Sequence, residues 1–217
     1  MTDQTISSAP PISRSLFTFA VFYGGMVCIA GVLANKQVAL GPLAVEAGIF
    51  AFLMLVTTSS AVAELHGRDT ANRMVLTGFI PLIAVLLLTE LVLRLPASAD
   101  MPADRQAGFT TILGSTPRIW AGGIVAYGIS TLLNVAIFSR LKAREGARLM
   151  WLRAGIASVL SQIVDTLIFI TISFYGVFPI ANLLMGQMLA KVVLSAVLVP
   201  PLGYVFVSLG RSLDARP

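Results

Sequence analysis

Six apolar runs, separated by charged or turn-rich breaks, leave this chain few folds to choose from. A hydrocarbon core needs about twenty consecutive apolar residues in a crossing helix, and runs of that kind lie near 16–35, 43–63, 73–94, 118–139, 153–175 and 182–207. The runs are apolar all round, whereas membrane β-strands are roughly ten residues long and alternate apolar with polar. Soluble domains are about 25% charged; here 57% of residues are hydrophobic and 12% charged. The expected fold is all-α: a polytopic membrane protein, built as a six-transmembrane-helix bundle over residues 16–207, with polar tails at 1–15 and 208–217.

The basic excess follows from membrane topology. With both termini cytoplasmic, the inner segments hold Arg14, Arg68, Arg73, Arg140, Lys142, Arg144, Arg148, Arg153, Arg211 and Arg216, and the outer ones only Lys36, Arg94, Arg105 and Arg118. That asymmetry is the positive-inside rule, so no nucleic-acid partner is needed to explain the charge. A cleaved signal peptide is not expected, because the first apolar run exceeds a signal h-region and five more follow. One cysteine, Cys28, and one histidine, His66, give neither an intrachain disulfide nor a metal-ligand cluster, and no cofactor is implied. His66 is expected as an interfacial loop residue. The one long connection, 95–117, contains "AGFTTILG", which suits a short interfacial helix capping the bundle. Trp151 is placed to anchor at interface depth.

Several polar residues do not belong in lipid. A carboxylate at a helix centre costs roughly 2.5 to 3.5 kcal/mol on insertion scales and usually faces a bundle interior or a watery cavity. Asp165 lies in the middle of "SQIVDTLIFITISF". Helical spacing aligns Ser158, Gln162 (or Ser161), Asp165 and Phe169 on one stripe, with Thr166 beside it. The last run sets Gln187, Lys191 and Ser195 at intervals of four, so they share a face. Lys191 is expected to pair with Asp165 or Glu64. The second run ends with Thr57, Ser60 and Glu64, and Asn35 and Lys36 close the first at the other membrane face. Asn134 sits deep in the fourth run. The plain alternative is structural: an Asp165–Lys191 pair that fixes helix register, and Ser and Asn side chains that bond between helices. Glu46 and Glu90 read as solvated residues near span ends, and Phe174 as a packing or lipid-facing residue.

Four segments carry a resemblance: "ANK", "AELHGRDTANR", "WLRAGIASVLSQIVDTLIF" and "LAKVVLSAVLVPPLGY". In this order they resemble the queuosine precursor transporter family, also called vitamin-uptake-transporter-like. The most specific part is S-x-x-S-Q-x-V-D-T, followed by Phe169 and "FYG". The resemblance implies a six-helix inner-membrane importer of 7-deazaguanines, chiefly 7-cyano-7-deazaguanine, with the 7-aminomethyl form as a second candidate. It places the family's polar pattern on Asn35, Lys36, Glu64, Gly67, Arg73, Arg118, Trp151, Arg153, Ser158, Gln162, Asp165, Thr166 and Lys191. Two positions depart from it: Ser60 and Asn134 stand where many relatives carry Asp.

A 7-deazaguanine presents two adjacent N–H donors with a carbonyl beside them. An ionised carboxylate accepts such a donor pair in a charge-assisted bidentate bond. The expectation is that Asp165 and Glu64 read this edge, Lys191 balances charge, Gln162 meets the carbonyl or pyrrole N–H, and Phe169 stacks on the ring, with Asn35 and Ser158 completing the substrate-binding set. Pro200 and Pro201 either hinge the last helix or end it. The lipid bilayer is the other partner, and a homodimer is expected for so small a transporter. Competing readings are the substrate-capturing subunit of an energy-coupling vitamin transporter and an intramembrane enzyme. Against the enzyme, no nucleophile and base stand at workable spacing, and no Gly-rich Lys-Ser/Thr nucleotide loop occurs.

Overall fold

The computed structural model describes residues 13–40, 43–114, 117–145, 149–176 and 180–215. Arg148, Arg216 and most of the N-terminal tail expected over 1–15 lie outside these residues. The elements are α1 (Arg14–Leu33), β1 (Gln37–Leu40), β2 (Leu43–Glu46), α2 (Gly48–His66), α3 (Arg68–Thr77), α4 (Phe79–Arg94), α5 (Ala103–Leu113), α6 (Pro117–Glu145), α7 (Met150–Phe174) and α8 (Ala181–Asp214). Helices α3 and α4 form one span, giving, among the described residues, six helices long and apolar enough to cross a membrane. The six-helix membrane bundle expected from the sequence is the fold observed.

The element bounds differ from the apolar runs where local chemistry intervenes. The second apolar run begins at 43, but 43–46 form β2, paired antiparallel with β1 (Gln37 opposite Glu46, Leu40 opposite Leu43). The helix proper starts at Gly48. The third span starts at Arg68, earlier than 73, and breaks at Gly78, since Pro81 cannot donate a bond to the turn before it. A β-carbon on Gly78 would lie 2.8 Å from a ring carbon of Tyr23, so the break also lets α1 approach.

Helix α8 passes through Pro200 and Pro201 and ends only at Asp214. The prolines therefore do not terminate it. Membrane helices tolerate proline where neighbours re-satisfy the freed backbone groups, and Gly155 of α7 leaves room for the ring, its missing β-carbon falling 3.5 Å from Pro200 Cγ. The connection after the third span contains α5, as expected of "AGFTTILG".

Helix α2 is the centre of the bundle. Nearly every residue from Ile49 to Ala63 is buried, including Thr57, Thr58, Ser59 and Ser60. Small and hydroxyl residues allow the close approach that drives helix association in lipid. Phe19, Tyr23 and Val27 of α1 pack against it, as do Val135 and Phe138 of α6 and Val199 and Val207 of α8. By contrast, α4 has no buried residue and exposes Ile80, Leu87, Leu88 and Leu91, a lipid-facing surface.

The first turn of α1 and the last turn of α8 lie at the same end of the bundle. The Ser15 backbone N–H donates to Asp214 Oδ1 at 2.9 Å and its hydroxyl to Asp214 Oδ2 at 2.7 Å. His66, the last residue of α2 and not a loop residue, joins them through Nε2 at 2.7 Å from Ser15 Oγ. Asp214 Oδ2 lies 4.0 Å from the same Nε2 that meets the serine, whereas a hydrolase relay has the carboxylate on the other ring nitrogen.

Candidate functional site

At the opposite end of the bundle, a cavity of about 400 Å³ opens between α1, α2, α4 and α6. Its mouth holds Asn35, Gly48, Trp120 and Ile112 and Leu113 of α5; its walls include Val27, Phe52, Leu55 and Tyr127; at its inner end are Asp165, Phe169 and Lys191. A mostly apolar pocket of a few hundred Å³ with a few convergent polar groups is the usual form of a small-molecule site.

The inner end is built by three helices. Lys191 Nζ of α8 donates to Asp165 Oδ2 of α7 at 3.2 Å, and the Ser130 hydroxyl of α6 donates to Asp165 Oδ1 at 3.1 Å. Lys191 Nζ also lies 6.0 Å from the centroid of the Phe169 ring, a cation–π distance. Asp165 is only 6% exposed. A carboxylate offers about four lone-pair sites; two are occupied here, so each oxygen can accept one further donor from the cavity with the ion pair intact. The opening toward the cavity therefore presents paired acceptors, a cation and an aromatic face.

The expected site residues separate into two groups. Asp165, Lys191, Phe169 and Asn35 border the cavity. Asn35 Nδ2 donates to the carbonyls of Gly31 and Val32 at 3.0 and 3.4 Å, closing the C-terminus of α1 at the mouth. Glu64, Gln162 and Ser158 are not among the lining residues. Glu64 is displaced by helix length alone: it lies nine residues beyond Leu55, the deepest α2 residue on the cavity, or about 13 Å at 1.5 Å per residue.

Glu64 instead belongs to a buried ionic cluster near the end that holds Ser15 and Asp214. Its Oε2 accepts from Arg153 Nη2 at 3.4 Å and lies 3.3 Å from Lys142 Nζ, which also donates to the Glu64 backbone carbonyl at 2.7 Å. Arg153 is completely buried, with its guanidinium 5.4 Å from the centre of the Phe138 ring. Lys191 thus chooses Asp165 over Glu64, and Glu64 has its own cations.

Between these two charged levels lies an uncharged polar layer. Asn134 Nδ2 donates to Ser60 Oγ at 3.0 Å and to Ser59 Oγ at 3.3 Å. Ser60 and Asn134, the two positions expected to depart from the resembled pattern, therefore bond to each other. Gln162, Ser158 and Ser195 are fully buried in α7 and α8.

Residue chemistry alone did not single out Ser130, Trp120 or Tyr127. Ser130 stands one turn before Asn134, a spacing that marks one face of α6. Tyr127 gives a clearer example of tertiary placement, its hydroxyl donating to Tyr23 Oη at 2.7 Å across the bundle. Trp151 is half exposed at the start of α7, and Glu90 pairs with Arg94 on the exposed end of α4 at 2.7 Å. The side chains of Glu46, Arg118 and Phe174 lie outside those described.

Comparison with known proteins gives two matches. Residues 46–205 match a family model described as "Putative vitamin uptake transporter". The chain is 30% identical over 161 residues to the "Probable queuosine precursor transporter" of Bacillus subtilis (strain 168), covering 73% of this chain and 69% of that protein. No solved structure gives a significant match.

Proposed function

The chain belongs to the vitamin uptake transporter family, and from that premise we propose that it imports queuosine precursors, 7-cyano-7-deazaguanine foremost, across the bacterial inner membrane. The observation that carries the proposal is the Asp165–Lys191–Phe169 group at the inner end of the cavity. The free lone pairs of Asp165 accept the N1–H and exocyclic amino donors, a charge-assisted pair. Phe169 stacks on the ring, worth roughly 1 to 3 kcal/mol for a base on an aromatic side chain. Lys191 balances the charge of Asp165 when no substrate is bound, since an unpaired buried charge costs several kcal/mol.

In this reading the termini are cytoplasmic and the cavity opens outward, the orientation that the excess of Lys and Arg on one side supports. The Glu64–Arg153–Lys142 cluster then closes the cytoplasmic half, and Glu64 acts there and not on the substrate edge. No chemical transformation is assigned. A homodimer is the assembly proposed on grounds of size.

The test is uptake of labelled 7-cyano-7-deazaguanine by liposomes containing only the purified protein. Uptake by the wild type and its loss in folded Asp165→Asn are expected. No uptake by folded wild type would reject the autonomous carrier and favour a partner-dependent subunit or another substrate. Normal uptake by Asp165→Asn would remove Asp165 from the site.

A further inference from the structure

The layer beneath Asp165 is polar without being satisfied. Both amide atoms of Gln162, the hydroxyls of Ser158 and Ser195, and Asn134 Oδ1 have no hydrogen-bond partner among the described residues, and all four residues are fully buried. Leaving a buried donor or acceptor unmade costs about 1 to 3 kcal/mol per group, so folded proteins rarely tolerate several together. A layer of this kind has unmet capacity for a polar occupant.

Helix register locates it. Asp165 and Lys191 touch, and the two helices run antiparallel, with Met150 beside Gly203. Gln162 and Ser195 therefore lie one turn from that ion pair toward the end that holds Ser15 and Asp214, about 4.5 to 6 Å at 1.5 Å per residue. Ser158 is one turn further, and Arg153 with Glu64 lies beyond it. On α6 the same order holds: Ser130 meets Asp165, Asn134 follows one turn later, and Phe138 lies under Arg153. The layer is thus enclosed between the cavity's ion pair and the Glu64 cluster, and it does not contribute to the cavity wall.

We infer that Gln162, Asn134, Ser158 and Ser195 form a second, inner substrate site, distinct from the outer cavity and reached when the bundle opens at its other end. This rests on the transport reading above. The chemistry of the layer selects its ligand. A primary amide with both atoms free matches a cyclic amide edge, accepting its N–H and donating to its C=O, and the neighbouring hydroxyls and Asn134 Oδ1 add neutral donors and acceptors. The outer site holds the substrate by charge; the inner site holds it by neutral amide pairing, so the substrate can leave without dragging a counter-ion.

The sole cysteine, Cys28, lines the outer cavity and supplies an internal reference. In oriented proteoliposomes, a membrane-impermeant methanethiosulfonate reagent labels Cys28 from the cavity side. In Cys28→Ala/Ser158→Cys and Cys28→Ala/Ser195→Cys, labelling is expected only from the side of Ser15 and Asp214. Cysteines that stay unreactive from both sides show dry packing and overturn the inner site. Labelling from the cavity side at the rate of Cys28 merges the two sites into one and overturns it equally.

A second variant separates function from folding. Gln162→Met removes two neutral hydrogen bonds to the ligand, so net uptake falls about tenfold, while Kd from the cavity side stays at the wild-type value and Tm is held or raised, two unmade polar atoms having been removed. A loss of Tm would instead mark Gln162 as a structural polar residue and reject its role. If labelling follows the expected pattern but 7-cyano-7-deazaguanine is not taken up, the substrate proposal fails and the inner site stands.

Discussion

Asp165 is tolerated inside the membrane because two helices supply what water would otherwise provide: an ammonium at 3.2 Å from α8 and a hydroxyl at 3.1 Å from α6. Removing one partner of a buried pair costs about 3 to 5 kcal/mol, because the other charge stays buried. Lys191→Met is therefore expected to lower thermal stability in detergent by about that amount. In Asp165→Asn/Lys191→Met, which removes both charges, stability should return near the wild-type value while uptake stays lost. A double variant as unstable as Lys191→Met would show that the ion pair is not the stabilising element. Phe169→Ala, measured by equilibrium binding, should weaken Kd by roughly 5- to 150-fold, the equivalent of 1 to 3 kcal/mol of stacking. Phe169→Tyr, which keeps the ring face, should retain affinity.

At the scale of elements, two junctions control the cavity. Gly48 starts α2 at the mouth, and a β-carbon there would lie 2.9 Å from the Ala30 carbonyl oxygen and 3.0 Å from Ala34 Cβ. Neither atom can rotate away, so α1 and α2 would have to separate. Gly48→Ala is expected to cost about 1 to 3 kcal/mol, the range for overpacking, read as a lower Tm. A β-carbon on Gly25 would meet no atom within 4 Å; Gly25→Ala should be neutral or slightly stabilising, because alanine gains about 1 kcal/mol of helix propensity over glycine. The second junction is Pro200-Pro201 within α8. A helix that lacks two backbone donors bends more readily, so Pro200→Ala/Pro201→Ala should slow uptake with Kd unchanged. Unaltered uptake kinetics would remove the prolines from the transport motion.

The whole molecule has polarised ends: a cavity at one, and ionic and hydrogen-bonded closures near the other. Glu64→Gln leaves Arg153 buried beside Lys142 with its carboxylate gone, and a loss of about 3 to 5 kcal/mol is expected in thermal unfolding. Asp214→Asn, at a more exposed closure between Ser15 and His66, should cost about 1 kcal/mol or less. Equal losses would contradict the difference in burial on which the two closures are distinguished.

Much of this architecture was legible in the sequence because bilayer thickness dictates helix length. Six apolar runs became six spans, and Asp165 and Lys191 stood out as charges where lipid allows almost none. Helical spacing also grouped Gln162 with Asp165 and Ser195 with Lys191, since an α-helix repeats at a fixed pitch. Spacing along one helix cannot say how far along the membrane normal another helix places its own polar residues. For that reason Glu64 read as a companion of Asp165, although it lies at the level of Arg153 and Lys142. Ser130, ordinary as a sequence residue, became a ligand of Asp165 by the packing of α6 on α7. The sequence by itself determined the membrane spans and the polar residues that had to be buried. Only the tertiary structure decided which of them share a level, because that depends on the axial offset between packed helices and not on the chemistry of any one of them.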